Sequence, residues 1–276
     1  MADVETNLSV WERQWDWSET GDEWSSWWGG TPALWHGALL PRLHSFLPAG
    51  TILEIAPGSG RWTQYLKDHC DRLVVVDLAE RCIDHCRERF ADHAHIQYHV
   101  NDGRSLDMVA DGSVDLAFSF DSLVHVEADV LHAYLGELAR TLSPDGVAFI
   151  HHSVAGDYGK LNAVVRRIPE RVRRPLVTRG ALIDVYAWRA ESVTAAGVRA
   201  HCDRVGLACL AQERINWEHG GPFLIDALTL VTRRSSAWER PTATSRNPFF
   251  RRTRAAWGAS MRARPLRATG TGRGER

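Results

Sequence analysis

Two glycines and three carboxylates at the ends of apolar runs set out the first chemistry in this sequence. Leu53-Glu54-Ile55-Ala56-Pro57-Gly58-Ser59-Gly60 follows an apolar run and opens a helical segment. Gly58 and Gly60 let the backbone turn tightly and approach a ligand without a Cβ in the way. The third glycine of a dinucleotide fingerprint is missing, because Arg61, Trp62 and Thr63 follow. Glu54 inside the turn would repel a pyrophosphate, whereas it suits an ammonium group and a nearby sulfonium. Val74-Val75-Val76-Asp77-Leu78 ends a second run in a carboxylate that can accept both hydroxyls of a ribose, and the same position suits a helix N-cap. Asp102, in Asn101-Asp102-Gly103, can accept an adenine amino group, in a tripeptide that is also an ordinary turn.

A second group can move a proton. Asp121 and His125 follow the apolar run at 114–120, His151-His152 end another, and Asp226 begins a last one. A hydroxyl acceptor needs a base as its proton leaves. Successive strand residues face opposite sides, so one of His151 and His152 reaches such a site. The expectation is His152 as base, with Asp121, His125 and Asp226 shaping the acceptor pocket. Asp121, His152 and Asp226 are also donors of the kind Mg²⁺ takes, if they converge.

These residues need a scaffold that gathers strand ends. Residues 51–56, 72–77, 96–101, 114–120 and 147–152 read as strands, with helical patterns at 61–69, 79–90 and 130–142. Apolar strands alternating with helices predict an α/β, Rossmann-like, doubly wound parallel sheet, whose ligands lie outside the carboxyl ends of the strands. Residues 207–215 and 224–232 read as two closing strands after a helix at 193–205. The expected domains are a Trp-rich cap over 1–47, a sheet domain over 48–233 with an Arg-rich lid insertion at 156–188, and a basic, disordered tail over 234–276.

Taken together, the motifs resemble the class I S-adenosylmethionine-dependent methyltransferases over about residues 45–232. The resemblance implies that Glu54, Ala56, Gly58 and Gly60 hold the methionine part of the cofactor and Asp77 the ribose. Asp102 takes the adenine end, with Leu78, Gly103 and Phe120 beside them. It implies seven strands in the order 3-2-1-4-5-7-6, the last antiparallel. Ala56 departs from the glycine many members carry there. Leu142-Ser143-Pro144-Asp145-Gly146 matches the family's turn before the fifth strand.

Residues just past the fourth strand narrow the acceptor. Phe120-Asp121-Ser122-Leu123 stands where amine-directed nucleic-acid enzymes carry Asp/Asn-Pro-Pro-aromatic, and there is no Pro-Cys nucleophile. Trp35-His36, Trp62, Trp188-Arg189, Trp217 and His219 flank the expected mouth. Indoles stack on sugar faces, although aromatics are equally at home in a core. Trp28-Gly29-Gly30, His151-His152-Ser153, Trp188-Arg189-Ala190-Glu191-Ser192 and Asn216-Trp217 resemble a group of bacterial sugar O-methyltransferases, including a methylmannose polysaccharide type. The resulting expectation is O-methylation of a saccharide hydroxyl. The alternatives are another small-molecule hydroxyl, RNA read by the basic tail, and a scaffold that binds the cofactor without chemistry.

Composition bounds the partners. The net charge of −1 hides an asymmetry: twelve Arg and two Glu lie from Arg233 onward, leaving 21 basic against 32 acidic residues before it. An acidic body suits a cationic cofactor, and a tail poor in interleaved aromatics speaks against nucleic acid. No apolar run is long enough to span a bilayer. The N-terminus lacks the basic start of a signal peptide, and five cysteines without a C-x-x-C pair suit a reducing cytoplasm. A homodimer is compatible with all of this.

Overall fold

The computed structural model describes residues 3–185, 188–216 and 222–250. At the centre of these residues lies one sheet of eight strands: β1 (Ala49–Ile55), β2 (Cys70–Asp77), β3 (Ile96–Val100), β4 (Val114–Ser119), β5 (Leu142–Ser153), β6 (Leu207–Ile215), β7 (Asp226–Arg233) and β8 (Ala243–Asn247). Their order is β3-β2-β1-β4-β5-β7-β6-β8. Strands β1 to β5 run parallel, and β7 is antiparallel to both β5 and β6. The expected order is therefore present, with an eighth strand added at its β6 edge.

Strand alternation divides the core. Leu73, Val75, Leu116, Phe118 and Phe149 face one layer, which holds Trp35, Leu39 and Trp62. Val74, Val76, Ala117, Ala148 and Ile150 face the other, built on the helices Ala128–Thr141 and Ala195–Val205. Both faces are covered, which is why β2 reads as a continuous Val run rather than an alternation. The same register brings Ile55, Asp77, Ser119 and Ser153 to the neighbouring ends of their strands, where ligands bind.

Two expectations change here. Composition predicts a disordered tail from residue 234, yet Ala243–Asn247 pair in parallel with Ala211–Ile215 of β6. Phe250 is fully buried, 5.9 Å from the Trp28 ring and beneath the Arg42 guanidinium at 5.6 Å. Ala-Thr-Ser-Arg-Asn has no apolar alternation because its side chains are mostly exposed and the backbone ladder alone holds it. Residues 251–276, the most Arg-rich part of the tail, lie outside the described residues. Residues 34–47 read in sequence as an amphipathic helix ending at Pro48, but the structure breaks this stretch into an α turn at Thr31–Leu34, a wider π turn at Trp35–Leu39 and further turns through Phe46. Pro41 removes one backbone donor within it.

The N-terminal segment and the Arg-rich insertion meet above the strand ends. The helix Val4–Ser9 and the turns to Trp28 bring Trp11 against Trp188, stacked at 5.4 Å. The insertion carries helices at Gly159–Val165 and Glu170–Thr178 and its own small core of Val165, Ile183, Val185 and Ile225. No helix among the described residues is long and apolar enough to cross a membrane.

Candidate active site

The turn after β1 is held in conformations that few residues adopt. Ala56 sits at φ +57°, Gly58 at +58° and Gly60 at +86°. A non-glycine residue there costs of order 1–3 kcal/mol, which explains why glycine is the common choice at position 56. A Cβ on Gly58 would lie 2.8 Å from the Trp17 ring, and one on Gly60 would lie 2.5 Å from Phe90. The turn is thus clamped between an N-terminal indole and the end of the Glu80–Arg89 helix.

Above it opens a narrow cleft of about 70 Å³. Of the residues expected to hold a cofactor, Ala56, Gly58, Asp77, Leu78, Gly103 and Phe120 line it. Asp77 accepts from Ala79 N–H at 2.9 Å and from Gly58 N–H at 3.2 Å, so it both caps the helix entrance and faces the cleft. Burial pushes its pKa up to about 6 against those two donors. A buried carboxylate with acceptor capacity to spare fits a vicinal diol. Asp77→Ala should weaken binding of S-adenosylhomocysteine by about 1–3 kcal/mol, the range for hydrogen bonds to charged groups. Calorimetry reads this directly, and unchanged affinity would move the ribose elsewhere.

The other three expected cofactor contacts lie off the cleft. Glu54 is buried beneath the turn, where Thr63 donates to its Oε2 at 2.6 Å. Burial raises its pKa to about 8, so the carboxyl is held protonated near neutrality and does not present the charge expected of it. Gly60 faces Phe90 rather than the cleft. Asp102 is exposed, and its Oδ1 accepts from the backbone of Arg104 and Ser105 and from the Ser105 hydroxyl. Those bonds close the loop after β3, with Ser105 N–H the largest influence holding its pKa low.

The paired histidines also change roles. His152 is fully buried, its Nδ1 bonded to the Ser153 carbonyl and its Nε2 to the Thr229 hydroxyl, each at 2.8 Å. Both ring nitrogens are occupied, so His152 has none to offer an acceptor. His151 faces the site side: Asp121 N–H donates to its Nδ1 at 3.1 Å, and its Nε2 lies 3.4 Å from Asp226. Asp226 is gripped by the Arg189 guanidinium at 2.9 Å and is fully buried. Burial opposes its ionisation, but Arg189 and His151 prevail and hold its pKa at about 2. The trio expected for Mg²⁺ does not assemble, because Asp226 faces Arg189 and His152 faces Thr229. Among the described residues no cluster of three metal-type donors exists, and the residues present do not fit the ion.

Asp121 lines the cleft, and both it and His125 line the space beside it. Asp121 takes φ +66° and accepts from Arg61 Nη2 at 2.8 Å. Arg61 is itself packed over the Trp24 and Trp62 rings at 5.2 and 4.7 Å. His125 Nδ1 lies 2.7 Å from the Trp188 carbonyl. A carbonyl only accepts, so Nδ1 carries the hydrogen and Nε2 keeps its lone pair. Burial, followed by the charge of Arg189, lowers its pKa to about 4, and the ring is neutral at physiological pH.

A second chamber of about 210 Å³ adjoins the cleft and shares Trp11, Trp24 and Asp121 with it. His125, Trp188 and Arg189 are among its lining residues. Of the flanking residues expected at the mouth, Trp62, Trp188 and Arg189 are there. Trp35 is instead a core residue stacked on Tyr65 at 5.0 Å, and Trp217 and His219 lie outside the described residues. Arg61, Glu23 and the N-terminal indoles are contributors to which sequence reasoning assigns no role. Six Trp within residues 11–28 are the visible signal, but their target depends on how the cap folds back.

Comparison with known proteins places this geometry. Residues 52–146 match the family model described as a methyltransferase domain. The chain is 36% identical over 93 residues to nodulation protein S of Rhizobium tropici, covering 34% of each protein. It is 28% identical over 140 residues to phosphoethanolamine N-methyltransferase 1 of Triticum aestivum, covering 49% of this chain and 28% of that one. The chain thus spans about a third of the length of these curated relatives. Among solved structures, a complex of DhpI with SAM and HEP superposes with a TM-score of 0.53 at 16% identity, covering 84% and 98% of the two chains. The PH0226 protein of Pyrococcus horikoshii OT3 gives 0.51 at 22%, covering 71% and 88%. Residues 52–146 thus match a methyltransferase domain, and the fold is the one these solved structures share.

Proposed function

We propose that the whole chain methylates a hydroxyl group of a small saccharide or similar polyhydroxylated acceptor, held in the chamber beside the donor cleft. The observation that carries this is His125. It is neutral, fixed in one tautomer by the Trp188 carbonyl, and lines the chamber with a free Nε2. Bound S-adenosylmethionine supplies an electrophilic methyl group on sulfur. Asp77, Gly58 and Leu78 orient the donor, and Phe120 and Trp17 exclude water from it. Asp121 lines both cavities and is pinned by Arg61, so it fixes the wall where donor and acceptor meet. As the acceptor oxygen takes the methyl group its proton becomes acidic, and Nε2 of His125 receives it. A weak base suffices because the proton is released as the new bond forms. The remaining catalysis is positioning between indole walls, which suit the apolar faces of a sugar ring.

N-methylation is the second reading. One relative is named as an N-methyltransferase, and the chamber holds a carboxylate oxygen, Glu23 Oε2, that is buried without a partner. Both readings are tested by one screen. Full-length protein and labelled donor are incubated with neutral monosaccharides, amino sugars, simple amines and RNA. Label transferred to oxygen of a sugar supports the proposal. Label found on nitrogen only, or on RNA, replaces it.

A further inference from the structure

Glu23 lies where an acceptor's positive charge would be answered. Its Oε1 accepts from Trp15 Nε1 at 3.3 Å, while Oε2 is buried with no hydrogen-bond partner. It lines the same chamber as Trp11, Trp24, Trp27 and Trp188. The chamber's other charged residues are already matched: Asp121 pairs with Arg61, and Arg189 with Asp226. Glu23 makes no ion pair among the described residues. A carboxylate oxygen shut away from water is costly unless it gains a donor, and a cation answers both its charge and its hydrogen-bonding need. Indole faces attract cations as well, most strongly where water is excluded. A neutral hydroxyl would satisfy only the hydrogen bond.

We infer that the chamber recognises a protonated amino group on the acceptor, held between indole faces and Glu23, and so selects an amino-bearing saccharide over its neutral counterpart. This rests on the chamber being the acceptor site. It goes further by naming the group that sets specificity and the residue that reads it. No proton need leave the ammonium, which acts as a handle while His125 attends to a hydroxyl elsewhere on the same molecule.

The test uses the full chain saturated with S-adenosylhomocysteine, so that the donor cleft is filled. Calorimetry and tryptophan fluorescence then follow titration with glucosamine, glucose, N-acetylglucosamine and tetramethylammonium. Glucosamine should bind at least tenfold more tightly than glucose or N-acetylglucosamine, and tetramethylammonium should bind where the neutral sugars compete weakly. Glu23→Gln keeps the acceptor for Trp15 and should erase the tenfold preference. Trp27 is largely exposed, so Trp27→Ala should leave the fold intact while weakening tetramethylammonium several-fold. It keeps the test open should Glu23→Gln fail to fold. Equal binding of the three sugars, or a preference that survives Glu23→Gln, overturns the inference while leaving a saccharide acceptor standing. Binding of tetramethylammonium that depends on Glu23, with no sugar bound at all, sustains the cation site and sinks the saccharide reading instead. Absence of binding by every probe overturns both.

Discussion

His125→Ala is expected to lower the turnover rate by about 10²–10⁴-fold, the usual contribution of a positioned acid or base. Its effect on affinity for S-adenosylhomocysteine should be small, because His125 lines the proposed acceptor chamber and not the cleft that holds Asp77. The pH profile carries the sign. In the proposed role the neutral ring is the active form, and its pKa is lowered to about 4. Activity should therefore be flat through neutrality and fall only as pH drops through about 4. The same shift affects stability: between the ordinary value of 6.5 and about 4 the unfolded chain binds the proton and the folded chain does not. His125 thus contributes a loss of stability as pH falls through that window, and the variant should lose less. His152 has its own depressed value of about 4 from burial. However, His152→Asn should disturb the fold around Thr229 without a selective loss of rate. A full rate effect at His152 with His125→Ala silent would return the base to β5. If neither moved the rate, the acceptor would be one that needs no histidine.

The second large effect is Gly60→Val. Its cause is the packing behind the turn, because the added Cβ would stand 2.5 Å from Phe90 Cε2. Overpacking costs about 1–3 kcal/mol, and a β-branched residue at φ +86° adds about 1–3 kcal/mol more. Together they take a large part of a typical 5–15 kcal/mol of stability. Thermal melting should show a large loss, and donor binding should vanish because the turn that carries Gly58 and faces Asp77 is displaced. Gly112 supplies the control: it also has positive φ, +61°, but a Cβ there meets nothing within 4 Å. Gly112→Val should carry the conformational penalty alone and keep donor binding. Equal damage from both substitutions would show that the clamp on Phe90 is not what position 60 needs.

Local pattern decided most of the frame. Val-rich β2, the glycine turn and Asp77 are short-range features. Burial on two faces forces apolar runs, and a strand that must turn sharply into a helix needs residues that tolerate positive φ. These constraints act within a few residues, so they are written in the sequence, and they bring Ala56, Gly58 and Asp77 to the wall of one cleft. The order of strands came with the resemblance, and the structure matches it.

What the sequence could not decide depends on direction and on partners far along the chain. Choosing between His151 and His152 needed the facing of β5. Strand alternation allows only one toward the site, but it does not say which until β7 supplies Thr229 to one ring and Asp226 to the other. The metal trio fails for the same reason, since Arg189, 37 positions from Asp226, claims that carboxylate. Glu54 has the look of a charge offered to a ligand, and only burial beneath the turn shows it as a protonated partner of Thr63. The edge strand β8 has no apolar signature, because an edge with exposed side chains is specified by backbone bonds to β6 rather than by its own residue types. His125 is visible as a residue in the sequence, but the tautomer that suits it to the proposed role is not. It is set by the carbonyl of Trp188, 63 positions away, which fixes the proton on Nδ1.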